Sequence, residues 1–421
     1  MEDILGLADR LWTGEATTTE HHPVALNSGL AEVTDGVAFL PNLGNVSAFK
    51  TSGGLFMVDT GSSIIAPLIH KEIRHWTPLA LNTAVYSHGH IDHVFGVPVF
   101  EEEAKSNGWQ APQVIAHEAL PHRFDRYILT AGYNQTINRR QFGFKDLVWP
   151  TEYRYPDVTY VLDHELQIGD TTVHLHHEKG ETDDHTVTWI PSKRVLCCGD
   201  LFIWASPNGG NPQKVQRYPR EWAKALRRMI SLEPDYLLPG HGFPIVGRDR
   251  IQQALGDTAS YLESLVEQTL ALMNEGARLS DILDAVKPPA NLAELPYLKP
   301  VYDEPEFIVH NIWRLYGGWY DGNPANLKPA TDRAIAQEMC DLAGGASRLA
   351  DRATMLAATG DEAQLRLAGH LIEYAWLAQG DDDAIAQARQ IIFTLRAELA
   401  TSTMAKGVFN WAARESAGEQ F

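Results

Sequence analysis

The chain is poor in cysteine and in positive charge, and it has no long apolar run. Only Cys197, Cys198 and Cys340 occur in 421 residues, and two of them are adjacent. They cannot form a disulfide framework, which suits a reducing compartment. Lys and Arg number 35 against 54 Asp and Glu, a formal charge of −19. Such an acidic chain, with no Lys/Arg-rich arm, repels phosphate backbones, which argues against nucleic acid as a partner. No stretch approaches the roughly 18 apolar residues that span a bilayer. The opening MEDILGLADRLWTGEATTTEHH carries early acids and lacks the apolar core of a signal peptide. The expectation is a cytoplasmic chain with no membrane span. Intrinsic disorder is excluded by 44% hydrophobic against 21% charged residues. The length allows roughly two or three domains.

Residues 31–60 consist of short β-rich bursts, AEVTDGVAFL, NVSAFKTS and GGLFMVDTGS, bounded by Gly, Asn and Asp. SIIAPLIHKEIRHW has helical spacing at Ile64, Leu68 and Ile73. LNTAVYSHGHIDH predicts a buried strand that ends in a polar cluster. VTYVLDHELQIGDTTVHLHHEKG predicts a hairpin, TVTWIPSKRVLCCGD two strands about a Pro-Ser turn, and PREWAKALRRMISL a helix with Pro219 at its start. PDYLLPGHG is a strand running into a Gly-rich loop. This is an α/β sandwich of about 250 residues. After Arg250 the character changes. Ile251, Leu255, Leu262, Leu265, Val266, Leu270 and Met273 share one helical face, and from Thr331 onward the chain is rich in Ala and Leu. Gly360-Asp361 and Gly380-Asp381 punctuate helical segments about twenty residues apart, as in a helical-hairpin array. Asp381–Asp383 read as a helix N-terminus, where the dipole favours acids. Two domains are expected, 1–250 and an all-α 251–421.

Ser87-His88-Gly89-His90-Ile91-Asp92-His93 is the most specific chemical signal. Three imidazoles and a carboxylate this close cannot all be core residues, because their polar atoms need partners. On extended backbone His88 and His90 point one way while Asp92 and His93 turn to another, which suits two adjacent metal ions better than one. Asp59, Glu181, Asp200 and His241 each sit at a strand end or beside a Gly. Singly each is an ordinary turn residue; together they supply the ligands such a site still needs. His174, His176 and His177 alternate along a strand, and Cys198 shares a strand face with Asp200; both are read first as ordinary strand residues.

SHGHIDH, Asp59, the Gly199-Asp200 pair and PGHG around His241 resemble the metallo-β-lactamase superfamily. That resemblance implies an αβ/βα sandwich with a two-metal site, usually zinc. The superfamily pattern has His where this chain has Glu181, a departure toward the alkyl sulfatase branch; Asp200 is the general superfamily type, where that branch usually has Glu. YGGWYDGNPA at 316–325, NQTINRRQFG at 134–143 and DLAGGASRLADRA resemble the alkyl sulfatase dimerisation region. The chain stops soon after this region, without the sterol-carrier-like third domain of many members. Carried over to this chain, the resemblance implies one metal on His88, His90 and Glu181 and another on Asp92, His93 and His241. Asp200 would bridge them and Asp59 would orient a ligand. Asp184 competes with Glu181 for its role. Two Zn²⁺ against three carboxylates leave one positive charge to hold a hydroxide, and a water so bound is a nucleophile near neutral pH. Asp92 and Asp200 are therefore expected to be catalytic. SPNGGNPQKVQRYPR supplies donors for a sulfate ester: Arg217 first, Asn211 second, then Asn208 and Lys214. Lys214, Arg220, Arg139 and Arg140 read equally well as surface charges. The implied activity is hydrolysis of anionic alkyl sulfate monoesters by a homodimer. The alternative is a hydrolase of the same fold acting on another ester, lactone, amide or phospho substrate.

Overall fold

Neighbouring residues along the first strands go to opposite sides of one sheet, and both sides are buried. Phe39, Phe49, Phe56, Val58, Val85 and Ile115 join one core cluster. Their neighbours Ala38, Ala48, Leu55, Met57, Ala84 and Val114 join another. A sheet covered on both faces reads as a continuous apolar burst rather than an alternation, which explains the sequence pattern. The computed structural model describes residues 3–26 and 29–419.

Seven strands form the first sheet in chain order: β1 (Ala31–Thr34), β2 (Val37–Leu40), β3 (Val46–Thr51), β4 (Gly54–Val58), β5 (Leu81–Val85), β6 (Gln113–His117) and β7 (Val158–Tyr160). β1 to β4 pair antiparallel and β4 to β7 parallel. The second sheet runs β13-β12-β11-β10-β9-β8. Its strands are β8 (Asp163–Ile168), β9 (Thr171–Glu178), β10 (His185–Ile190), β11 (Val195–Gly199), β12 (Tyr236–Pro239) and β13 (Ile245–Val246). Only β11 and β12 pair parallel in it.

Val173, Leu175, Val187 and Cys197 of the second sheet join Phe39 and Phe56 of the first in one cluster, so the two sheets share a core. Ile69, Ile73, Phe100, Leu120 and Phe124, from the helices Ala66–Trp76, Val97–Asn107 and Ala119–Leu129, pack on the first sheet's other face. Trp222 and Leu226 of the helix Pro219–Ser231 join the shared core, and Trp222 donates its indole N–H to the Leu201 carbonyl at 2.9 Å. This is the αβ/βα sandwich, followed by a helical region.

The chain divides into one compact unit of residues 1–130 and 150–319 and a second of 131–149 and 320–421. The division differs from the expected 250/251 boundary. Ile251, Leu255, Leu262 and Leu265, on the helix Arg248–Asn274, belong to the same core cluster as the sandwich, as do Ile308 and Ile312 of Pro305–Gly317. An amphipathic face is visible in sequence, but what it packs against is not. The second unit gathers helices around Leu349, Ala353, Leu365, Ile372, Ile385 and Phe393. Its caps follow the punctuation of the sequence. Asp361 accepts from Gln364 N–H at 2.9 Å, and Asp382 accepts from Ala384 and Ile385 N–H ahead of the helix Asp383–Leu399. Among the described residues, no helix is long and apolar enough to cross a membrane.

A chain ending at Arg250 leaves the core residues around Trp222 and Leu226 uncovered. Size-exclusion chromatography of that fragment should return aggregate; a monodisperse, folded fragment would contradict this packing.

Candidate metal centre

The carboxyl ends of parallel strands fall on one edge of a sheet, the usual position of sites in open α/β sheets. Asp59 follows β4, Ser87–His93 follows β5, Asp200 follows β11 and His241 follows β12. Glu181 lies in the turn between β9 and β10.

These ends bring two groups of donors together. One is His88, His90, Glu181 and Asp200; the other is Asp92, His93 and His241; in each, donor atoms lie within 4.8 Å of one another. His90 Nδ1 is 3.3 Å and His88 Nε2 is 3.6 Å from Glu181 Oε2. His93 Nε2 and His241 Nε2 lie 3.6 and 3.5 Å from Asp92 Oδ2. Asp200 faces both groups: Oδ2 is 3.6 Å from His88 Nε2 and 3.2 Å from His241 Nε2, and Oδ1 is 3.4 Å from His93 Nε2. Gly240 makes room for this carboxylate, since a Cβ there would stand 2.1 Å from Asp200 Oδ1.

His93 Nε2, Glu181 Oε2 and Asp200 Oδ1 are buried and have no hydrogen-bond partner among the described residues. Buried polar atoms without partners are unfavourable, and here they converge with imidazole nitrogens and carboxylate oxygens. Nitrogen and oxygen donors in such closed groups fit divalent cations. Burial alone would raise the Asp200 carboxyl, but His241, then His93 and His88, hold it well below the usual range. Burial keeps His88 neutral, well below the ordinary imidazole value, as a ligand nitrogen requires.

Asp59 sits behind the donors. Its backbone is left-handed (φ 59°), a strained conformation for a non-glycine residue, and this directs its carboxylate back under β5. Oδ1 accepts from Ser87 N–H at 2.7 Å; Oδ2 accepts from Ser87 O–H at 2.7 Å and lies 2.9 Å from His93 Nδ1. Ser87 Oγ is 2.9 Å from His88 Nδ1. One carboxylate therefore orients an imidazole in each group, directly for His93 and through Ser87 for His88. Sequence reasoning quoted Ser87 without assigning it this part.

Asp184, the rival of Glu181, is not in either group. Its Oδ2 accepts from Gly89 N–H at 3.0 Å and from Arg123 Nε–H at 2.9 Å. Burial would raise its carboxyl, but Arg123 outweighs that and holds it at about 2. Asp183 pairs with Arg123 as well. His185 stacks on His88, ring centroids 4.8 Å apart. His174 and His176 pair with Glu165 and Asp163, and His177 stacks on His117, all outside the two groups. Cys198 is buried, with its thiol pushed well up by burial, and is in neither group.

The expected anion donors are arranged unevenly. Arg217, 2% exposed, sets Nη2 3.3 Å from Glu181 Oε1, and Asn208 donates to the same oxygen. Asn211 is buried, its Oδ1 accepting from Gln213 N–H at 3.2 Å. Burial, then the Arg217 charge, pulls the Lys214 ammonium down to about 7, against Asp92 and Glu181, which raise it. Arg220 is exposed on the helix that follows. Two residues were not foreseen, Tyr302 and Asp303. Burial first, and then the charges of Glu181, Asp92 and Asp200, push the Tyr302 phenol well up. Burial pushes the Asp303 carboxyl to about 7 while it accepts from Gly210 N–H at 2.6 Å. No local motif marks either one, because the chain returns to the site some sixty residues after His241.

Arg123→Met leaves Asp184 buried without its cation. It should destabilise the protein by about 3–5 kcal/mol, read as a lower urea midpoint, and Arg123→Met/Asp184→Leu should recover part of that. An unchanged midpoint in the single variant would refute the pairing.

Residues 40–241 match the metallo-beta-lactamase superfamily, and residues 278–419 match the alkyl sulfatase dimerisation family. A linear primary-alkylsulfatase of Pseudomonas sp. is 27% identical over 357 residues, 78% of this chain and 66% of that protein. Alkyl/aryl-sulfatase BDS1 of Saccharomyces cerevisiae is 25% identical over 353 residues, 77% of this chain and 54% of that protein. The chain spans about half to two thirds of the length of the curated relatives it matches. The solved stereoselective inverting sec-alkylsulfatase Pisa1 from Pseudomonas sp. shares the fold, with a TM-score of 0.80 at 21% identity over 93% of this chain and 66% of that one. In its sandwich this chain is similar to the metallo-beta-lactamase superfamily, and in the helical segment that follows it is similar to the alkyl sulfatase dimerisation family.

Proposed function

We propose that the protein is a zinc-dependent sulfuric ester hydrolase that removes sulfate from alkyl esters and works as a homodimer through its helical segment. One observation carries the reading. Two closed groups of nitrogen and oxygen donors share Asp200 beside a buried guanidinium, in a chain whose relatives are named alkylsulfatases. His88, His90 and Glu181 would hold one ion and Asp92, His93 and His241 the other, with Asp200 facing both. Two zinc ions would supply there a water of lowered pKa and polarise the ester.

The chain's own groups supply the rest. Asp59 and Ser87 fix the imidazoles, so little reorganisation is needed when substrate arrives. Glu181 in place of His adds a negative charge that would repel a sulfate ester. Arg217, at 3.3 Å from Glu181, offsets that charge. Its Nε–H has no partner among the described residues and remains available to a nonbridging sulfate oxygen. Asn208, Asn211 and Lys214 occupy the same loop and complete the donor set.

Inorganic sulfate should be released from alkyl sulfates, faster as the chain lengthens, and a chelator should abolish release. His90→Ala should reduce turnover to background with helical circular dichroism retained. No release from protein that retains two metals per chain would move the assignment to another ester, lactone, amide or phospho substrate. Gly240→Ala pushes on Asp200 and should lower bound metal below one ion per chain, measured by elemental analysis. Full occupancy in that variant would refute the bridging role of Asp200.

A further inference from the structure

A concave site lies wholly within the helical unit. The end of the helix Ala131–Phe142 and the face of Thr403–Ser416 line a cavity of about 210 Å³. Among the described residues, Arg139, Arg140, Lys406 and Arg414 line it and no Asp or Glu does. Four cations gathered on one cavity stand out in a chain whose formal charge is −19.

Arg139 and Arg140 are held in place rather than free to swing. The Arg140 guanidinium lies 4.1 Å from the centroid of the Trp411 ring, which fixes its plane. Arg139 donates Nε–H to the Leu147 carbonyl at 2.9 Å. Arg414 Nη1 comes within 3.2 Å of where a Cβ on Gly143 would stand, and Gly143 has φ +70°, so glycine suits the approach twice over. Glu419, which senses the Arg414 charge, is engaged by Lys145. Gln141 is a second and separate sign. It lines the cavity at 2% exposure, and neither its amide nitrogen nor its amide oxygen has a hydrogen-bond partner among the described residues. A buried amide without partners is unfavourable until something polar meets it.

We propose that this cavity binds a small tetrahedral oxyanion, a sulfate or phosphate group, free or at the head of a small ester. Guanidinium groups match such oxygens in pairs, and the volume is below that of a pocket for a drug-sized ligand. The site shares no residue with the metal centre and does not rest on the hydrolase reading.

The test is calorimetric titration of the full, metal-loaded protein with inorganic sulfate, inorganic phosphate and methyl sulfate at low ionic strength. The wild type should bind one more equivalent than Arg140→Gln/Arg414→Gln, and added NaCl should weaken that extra binding. Tighter binding by free sulfate or phosphate than by methyl sulfate identifies a free ion as the ligand, and the reverse order identifies an ester head. Lys406→Gln changes an exposed side chain only and should weaken the extra site by about threefold or more with helical content unchanged. Equal stoichiometry and affinity in wild type and both variants would overturn the proposal.

Discussion

Placing acids and imidazoles together out of water is the constraint on which the rest of this structure depends. His88, His93, Glu181, Asp200 and His241 are all buried at one rim of the sandwich. Desolvation opposes the ionised form of every carboxylate among them. What keeps Asp200 ionised is the ring of imidazoles around it, and what keeps Glu181 ionised is His90 together with Arg217. His88, His90 and His93 follow β5 of the first sheet, His241 follows β12 of the second, and Arg217 comes from the loop before the helix Pro219–Ser231. The site therefore requires that both sheets be complete before its charges are satisfied. The apolar bursts of β2 to β6, buried on both faces, give the rigid frame that holds those ends in register.

Two buried acid–arginine pairs divide the work near Glu181. Arg123 holds Asp184 away from the donor groups, while Arg217 stands against Glu181 inside them. A buried carboxylate with a guanidinium at 2.9 Å and a backbone N–H at 3.0 Å has its lone pairs occupied, and it supports the loop that carries His88 and His90. Glu181 keeps one oxygen without a protein donor. The choice between two acids three residues apart is thus made by where arginines from distant segments arrive, not by the acids themselves.

That is also where the sequence stops being legible. HxHxDH could be read because its residues are local and their crowding has no ordinary structural explanation. Asp59, Asp200 and His241 could be read because each ends an apolar strand. The rivalry of Glu181 and Asp184 could not be resolved, since Arg123 lies sixty-one positions from Asp184. Tyr302 and Asp303 gave no signal, because proximity to the site is a property of the fold and not of their neighbours in the chain. The helix face beginning at Ile251 was correctly periodic, yet periodicity says only that a face is covered. It packs into the sandwich core, and so the compact unit extends to residue 319.

The segment 131–149 carries the same lesson further. It leaves the sandwich between β6 and β7 and joins the helix Thr403–Ser416, formed about 260 residues later. Gly407 packs so closely on it that a Cβ would stand 1.9 Å from the Gln141 carbonyl oxygen. Contacts of such long sequence separation are entropically expensive to form. A short excursion from one unit that completes another leaves the second unit built from two separate stretches of chain. Separating the two by cutting the chain at any single point therefore leaves one of them incomplete, which sets this arrangement apart from two domains strung in series.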